Sequence, residues 1–134
     1  MNILIIVLAA AASLFTAFAF YKAGKFKGFS TKETLLGAGF GWVATTPFAV
    51  VRLIAWLELL GVAGLVIAPI GYFLGFTWAI WFAVAAAAGL ALTMVGAIIL
   101  HAKRGEAKYT LKMNLQLLVV SLLAAGLWAY LPMV

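Results

Sequence analysis

The sequence predicts an all-α fold: a bundle of four transmembrane helices, N-out and C-out, with a short interfacial helix between the first and second spans. Three observations predict it. The chain of 134 residues is 68% hydrophobic and 9% charged, where a soluble domain is about half apolar and a quarter charged. Four stretches reach the ~20 mostly apolar residues that a bilayer crossing needs. All nine basic residues lie around only two of the connections between those stretches.

The first stretch runs from Asn2 to Tyr21. A secretory signal peptide is the competing reading, but the positive n-region of such a signal is missing and further spans follow. The second, 48–70, begins where Thr45 and Thr46 can cap a helix and Pro47 suits its first turn; Pro69 and Gly71 are expected to end it. The third, 76–101, is long enough to tilt. The fourth covers 113–131. Connections 71–75 and 102–111 are short, so the spans they join are antiparallel neighbours. The connection after the first span is longer. There Ser30 and Glu33 have capping-box spacing, and Leu35, Leu36 and Phe40 suit a short helix on the membrane surface, weakened by Gly37, Gly39 and Gly41. The whole reads as one domain, 1–134.

Orientation follows from charge. Lys22, Lys25, Lys27, Lys32 and Arg52 surround the first connection; Lys103, Arg104, Lys108 and Lys112 surround the last. The positive-inside rule puts both in the cytoplasm and both termini outside, in a multi-pass protein of the cytoplasmic (inner) membrane. The other side carries Tyr72, Phe73, Phe76, Trp78, Trp81, Trp128 and Tyr130, which read as an interfacial aromatic belt. Small residues that let membrane helices approach fall in stripes: Ala9, Ser13 and Ala17; Gly61 and Gly64; Ala85, Gly89, Thr93 and Ala97; Ser121 and Ala125.

Composition narrows the chemistry. With no cysteine, this chain alone has no disulfide and no thiol redox centre. Its single histidine, His101, excludes a bis-histidine haem and a multi-histidine metal site within one copy. We find no nucleophile beside a base and no phosphate loop, so no catalytic or metal-binding residues are assigned. The net charge of +6 would suit nucleic acid on a soluble face; beside lipid-length apolar runs it reads as membrane anchoring.

One ionisable residue needs an account. Glu58 lies well inside the second span, where a charge costs about 2.5–3.5 kcal/mol on insertion scales and normally faces a partner or a cavity. Arg52 lies roughly 9 Å away along the helix and about 120° around it, so the two do not meet as i, i+4 neighbours. Candidates on the same half of the bundle are His101, Asn114, Gln116, Lys22 and Lys25, with His101 or a basic residue from the end of the first span leading, Gln116 next and Arg52 less favoured. Two readings stand. The cluster locks helix register as a buried ion pair or hydrogen-bond hub, or it lines a pocket for a headgroup, a quinone or a proton.

The segments "VRLIAWLELLGVAGLVIAP" at 51–69, "AAAAGLALTMVGAIILHAKRGE" at 85–106 and "FYKAGKFKGF" after the first span carry a resemblance. In their order and spacing the chain resembles the DoxX-like membrane proteins over essentially its whole length. The resemblance implies a four-span bundle. Most such proteins lack an assigned activity, some are named for subunits of a thiosulfate–quinone oxidoreductase, and others associate with thiol-oxidoreductase or detoxification proteins in actinobacterial membranes. Distant animal relatives resemble assembly chaperones of ligand-gated channels. It also implies Arg52, Glu58 and His101 as the polar positions, with Lys22 or Lys25 matching a lysine after the first span.

Three functions are weighed. The first is a non-catalytic accessory or assembly subunit that binds another membrane component or a lipid. The second is a quinone-linked oxidoreductase subunit in which Glu58 and His101 contact quinone or handle protons. The third is a small proton-coupled exporter, disfavoured because the first span holds no charge. Orientation is directly testable: an impermeant thiol reagent added outside should label Gly71→Cys and spare Gly105→Cys, and the reverse pattern overturns the topology.

Overall fold

The computed structural model describes residues 3–105 and 107–134, and all their side chains except those of 107–110. Asn2, Glu106 and the side chain of Lys108 therefore lie outside the described residues. Helix α1 is Ile3–Phe29, α2 Lys32–Gly37, α3 Phe48–Phe73, α4 Trp78–Lys103 and α5 Ala107–Tyr130. Short 3-10 turns occupy Gly41–Thr45 and Leu131–Met133. Four helices are long and apolar enough to cross a membrane. They pack in a ring, α1 against α3, α3 against α4, α4 against α5 and α5 against α1, each pair antiparallel.

Several boundaries differ from those the sequence suggests, for physical reasons. Helix α1 continues past Tyr21 to Phe29. Counting apolar residues stops at Lys22, but a helix does not stop where its exposed side turns basic. Its buried stripe continues from Ala9, Ser13, Ala17 and Phe20 to Gly24 and Gly28, which press against Ala55 and Leu59 of α3. The cap of α2 is Thr31, whose side chain accepts from the Thr34 N–H at 3.1 Å, not Ser30. Ser30 still belongs to the end of α1, since its N–H bonds to Phe26 O. Thr45 and Thr46 do not cap α3; both hydroxyls donate back to Trp42 O, at 3.3 and 2.8 Å.

Pro69 does not end α3 but sits within it. Proline forfeits one backbone bond, which a membrane helix tolerates, and the helix gains a further turn in which Trp78 and Ala79 of α4 close over Gly71. The chain then reverses at Gly75, whose φ of +92° only glycine adopts readily. The last connection is shorter than expected because α5 starts at Ala107, not near 113; Gly105, at φ +74°, turns the chain after α4. Because Trp78 covers Gly71 and Gly105 is conformationally tied, Leu74 and Lys103, both exposed, are better positions for the labelling cysteines.

The interior is built in tiers. At the end holding the α3–α4 turn, Ala9, Ala68, Ala83, Trp128 and Leu131 pack together. Trp128 is thus fully buried and not part of an interfacial belt: its indole N–H donates to Ser13 Oγ at 2.6 Å, and its ring meets Tyr72 edge-on. In the middle lie Ala17, Phe20, Val62, Leu65, Leu90, Met94 and Ala124. At the basic end, the connection folds inward, with Leu35, Trp42 and Val43 packed on Val51. Arg104 ties it down through a bond to Thr45 Oγ1 at 3.0 Å.

The small-residue stripe of α1 faces inward as expected and Gly61 and Gly64 of α3 face α4, but the stripe of α4 does not turn inward. Its buried face carries Ala79, Ala83, Ala87 and Ala91, whereas Ala85 and Gly89 are exposed. The two series are two residues out of step, which at 100° per residue puts them on nearly opposite sides. Spacing alone cannot choose between them in so alanine-rich a helix.

Packing density sets the next prediction. A Cβ at Gly64 would meet the Ala86 Cβ at 2.9 Å, whereas one at Gly89 would meet nothing within 4 Å. Gly64→Ala should destabilise the bundle by about 1–3 kcal/mol through overpacking, and Gly89→Ala should be neutral or slightly stabilising. Thermal unfolding in detergent distinguishes them.

Candidate functional site: a buried ion pair and an outward trough

Glu58 is 1% exposed, and its Oε1 receives Lys27 Nζ at 2.5 Å. Lys27 is itself buried at 8%. The partner is therefore a basic residue near the end of the first helix, as expected in kind, but it is neither Lys22 nor Lys25. Lys27 falls on the buried stripe of α1, seven residues beyond Phe20 and three beyond Gly24. The visible clue was that stripe: Gly24 and Gly28 repeat its four-residue spacing, and a helix extended through them carries Lys27 toward α3.

Lys22 and Lys25 are exposed, their ammonium groups lying over the rings of Phe18 and Tyr21. Arg52 makes a different contact with α1. It is half-buried, donates to Lys27 O at 3.2 Å and Ser30 O at 2.7 Å, and lies over the Phe48 ring. A guanidinium there satisfies carbonyls that a helix C-terminus leaves unpaired and complements its negative dipole end. One helix thus holds α1 twice, through the side chain of Lys27 and through its backbone.

The remaining candidates are dispersed. Gly61, Gly64 and Gly71 of α3 face Leu90, Ala86 and Ala79 of α4. That register sets Glu58 opposite the turn of Thr93 and Met94, with His101 roughly 12 Å further toward the basic end. Gln116 is exposed, while Asn114 is buried at 3%. Among the described residues, Asn114 Nδ2 and Glu58 Oε2 have no hydrogen-bond partner. One carboxylate oxygen thus pairs with Lys27 and the other accepts no bond among the described residues; among those residues no group of three or more His, Asp or Glu side chains could hold a metal.

A second feature lies outside the ring. Between α3 and α4 an apolar trough of ≈ 680 Å³ is floored by Gly61, Gly64, Ala86 and Gly89 and walled by Leu57, Leu60, Ile67, Phe82 and Leu92. A family model describing the DoxX-like family matches residues 6–125. The chain belongs to the DoxX-like family. That match takes in every helix holding the ion pair and the trough, and this family member is a small multi-pass membrane protein. No curated protein and no solved structure matches the chain.

Removing one member of a buried pair leaves the other uncompensated, which costs about 3–5 kcal/mol. Glu58→Gln and Lys27→Met should each destabilise this DoxX-like bundle by that order in detergent unfolding. The double variant should recover most of the loss, and additive losses would show that the pair is not coupled.

Proposed function

We propose that this DoxX-like protein is a non-catalytic accessory or assembly subunit of the cytoplasmic membrane, N-out and C-out, that seats a helix of another membrane protein in the α3–α4 trough. The trough carries this reading. Lipid tails pack as well on leucine as on each other, so small residues turned toward lipid gain nothing unless another helix approaches closely. Here Ala63, Ala85 and Gly89 are exposed on the two helices that form the trough. The ionisable pair supports the same reading by its placement: it is enclosed between α1 and α3 and serves the bundle's own register.

A quinone-linked subunit is the second reading. A trough of ≈ 680 Å³ is within the size range of small-molecule sites, and it reaches Leu57 and Thr93, beside the turn that holds Glu58. Intact-complex mass spectrometry of protein purified gently from its own membrane separates the two. A second polypeptide bound to the wild type and lost from Gly89→Phe, a position on the trough where an added Cβ meets no atom within 4 Å, is the expected result. A bound quinone lost from the same variant transfers support to the second reading. The chain alone, or only copies of itself, overturns the first.

A further inference from the structure

A different face of the molecule carries the inference. On α1, Phe18, Lys22, Lys25 and Phe29 follow one another at helical spacing and make a single exposed stripe. Gly24 is pressed against Leu59, so the stripe looks away from the bundle. Beside it is a hollow of ≈ 430 Å³ lined by Tyr21, Lys22, Lys25, Phe26, Phe29 and Ser30. Phe29 is fixed there by an edge-on contact with Trp56 of α3, ring centroids 5.4 Å apart.

The hollow joins two positive charges to aromatic walls. Lys22 Nζ lies 4.8 Å from the Phe18 ring centroid and Lys25 Nζ 5.7 Å from that of Tyr21. Such contacts orient an ammonium but use none of its N–H donors on an oxygen acceptor. The ion pair between described residues joins Lys27 to Glu58 and involves neither of these lysines. An anion that reaches this hollow therefore meets donors ready to receive it. Toward the middle of α1 the same side exposes Leu14, Phe15 and Phe18, an apolar track suited to an acyl chain.

We propose that this hollow binds an anionic phospholipid, its phosphate between Lys22 and Lys25 and a chain along Phe18 and Phe15. The charge of the headgroup matches the two ammonium groups, and the length of the apolar track sets a lipid apart from a soluble phosphate. The site is separate from the α3–α4 trough, on another helix, and stands or falls independently of the trough's occupant.

The test is native mass spectrometry of the full chain from micelles holding equimolar dioleoylphosphatidylglycerol and dioleoylphosphatidylcholine. The wild type should retain the phosphatidylglycerol preferentially. Lys22→Gln/Lys25→Gln should reduce that preference by about fivefold per lysine removed, the contribution of a basic residue near an anionic surface. Lys103→Gln/Lys112→Gln, with the same loss of charge at the same end, should leave it unchanged. Equal retention of both lipids by the wild type, an equal loss in the control variant, or displacement of the lipid by inorganic phosphate would each overturn the proposal. Circular dichroism confirms that the exposed substitutions leave the helices intact.

Discussion

The buried bond between Lys27 and Glu58 is the constraint on which the rest of this structure depends. Neither charge is tolerable unpaired in the buried space between α1 and α3, so α1 and α3 have one relative register in which the two meet. That register also presses Gly24 and Gly28 against Ala55 and Leu59, and lets Arg52 close over the last carbonyls of α1. A bundle held only by apolar contacts could slide by a turn at small cost, because alanine and leucine recur on every face. The ion pair removes that freedom at one seam, and Gly61 under Leu90 and Gly64 under Ala86 remove it at the next.

How far the sequence discloses this arrangement depends on which physical quantity is being read. Four spans and an all-helical fold are legible because a bilayer imposes a length and a composition. That Glu58 needs an interhelical partner is legible for the same reason, since an unpaired carboxylate is excluded there. Lys27 as that partner is not legible from apolar counting, which ends α1 at the first lysine although its buried stripe runs on. Local cap patterns mislead at Ser30, Thr45 and Thr46, because each of those groups is claimed by backbone next to it. Trp128 misleads in a different way. A tryptophan near a helix end suits a membrane interface, and only its pairing with Ser13, far away in sequence, draws it inside.

The architecture separates two kinds of surface. The Lys27–Glu58 pair is turned inward, and at the basic end Leu35, Trp42 and Val43 pack on Val51 of the helix that carries Glu58. The small residues are divided: one series of α4 alanines fills the ring, and the other, with Gly89, lies open beside α3. A chain of this size that needed only to be stable could have covered that trough with leucine. This DoxX-like chain is thus a four-helix frame with one apolar side left open between α3 and α4.

The seam between α1 and α5 has a consequence for how the protein is made. Across it the side-chain hydrogen bonds of Thr16 to Val120 O and of Trp128 to Ser13 join residues 104 and 115 positions apart. Helix α1 therefore waits for α5, made later, before its hydroxyls at 13 and 16 find these partners. Until then α1 presents Ser13 and Thr16 to lipid or to the insertion machinery, held in place by α3 alone. A chain whose α5 has not yet docked therefore leaves Ser13 and Thr16 without these partners on the edge of α1 that α5 later covers.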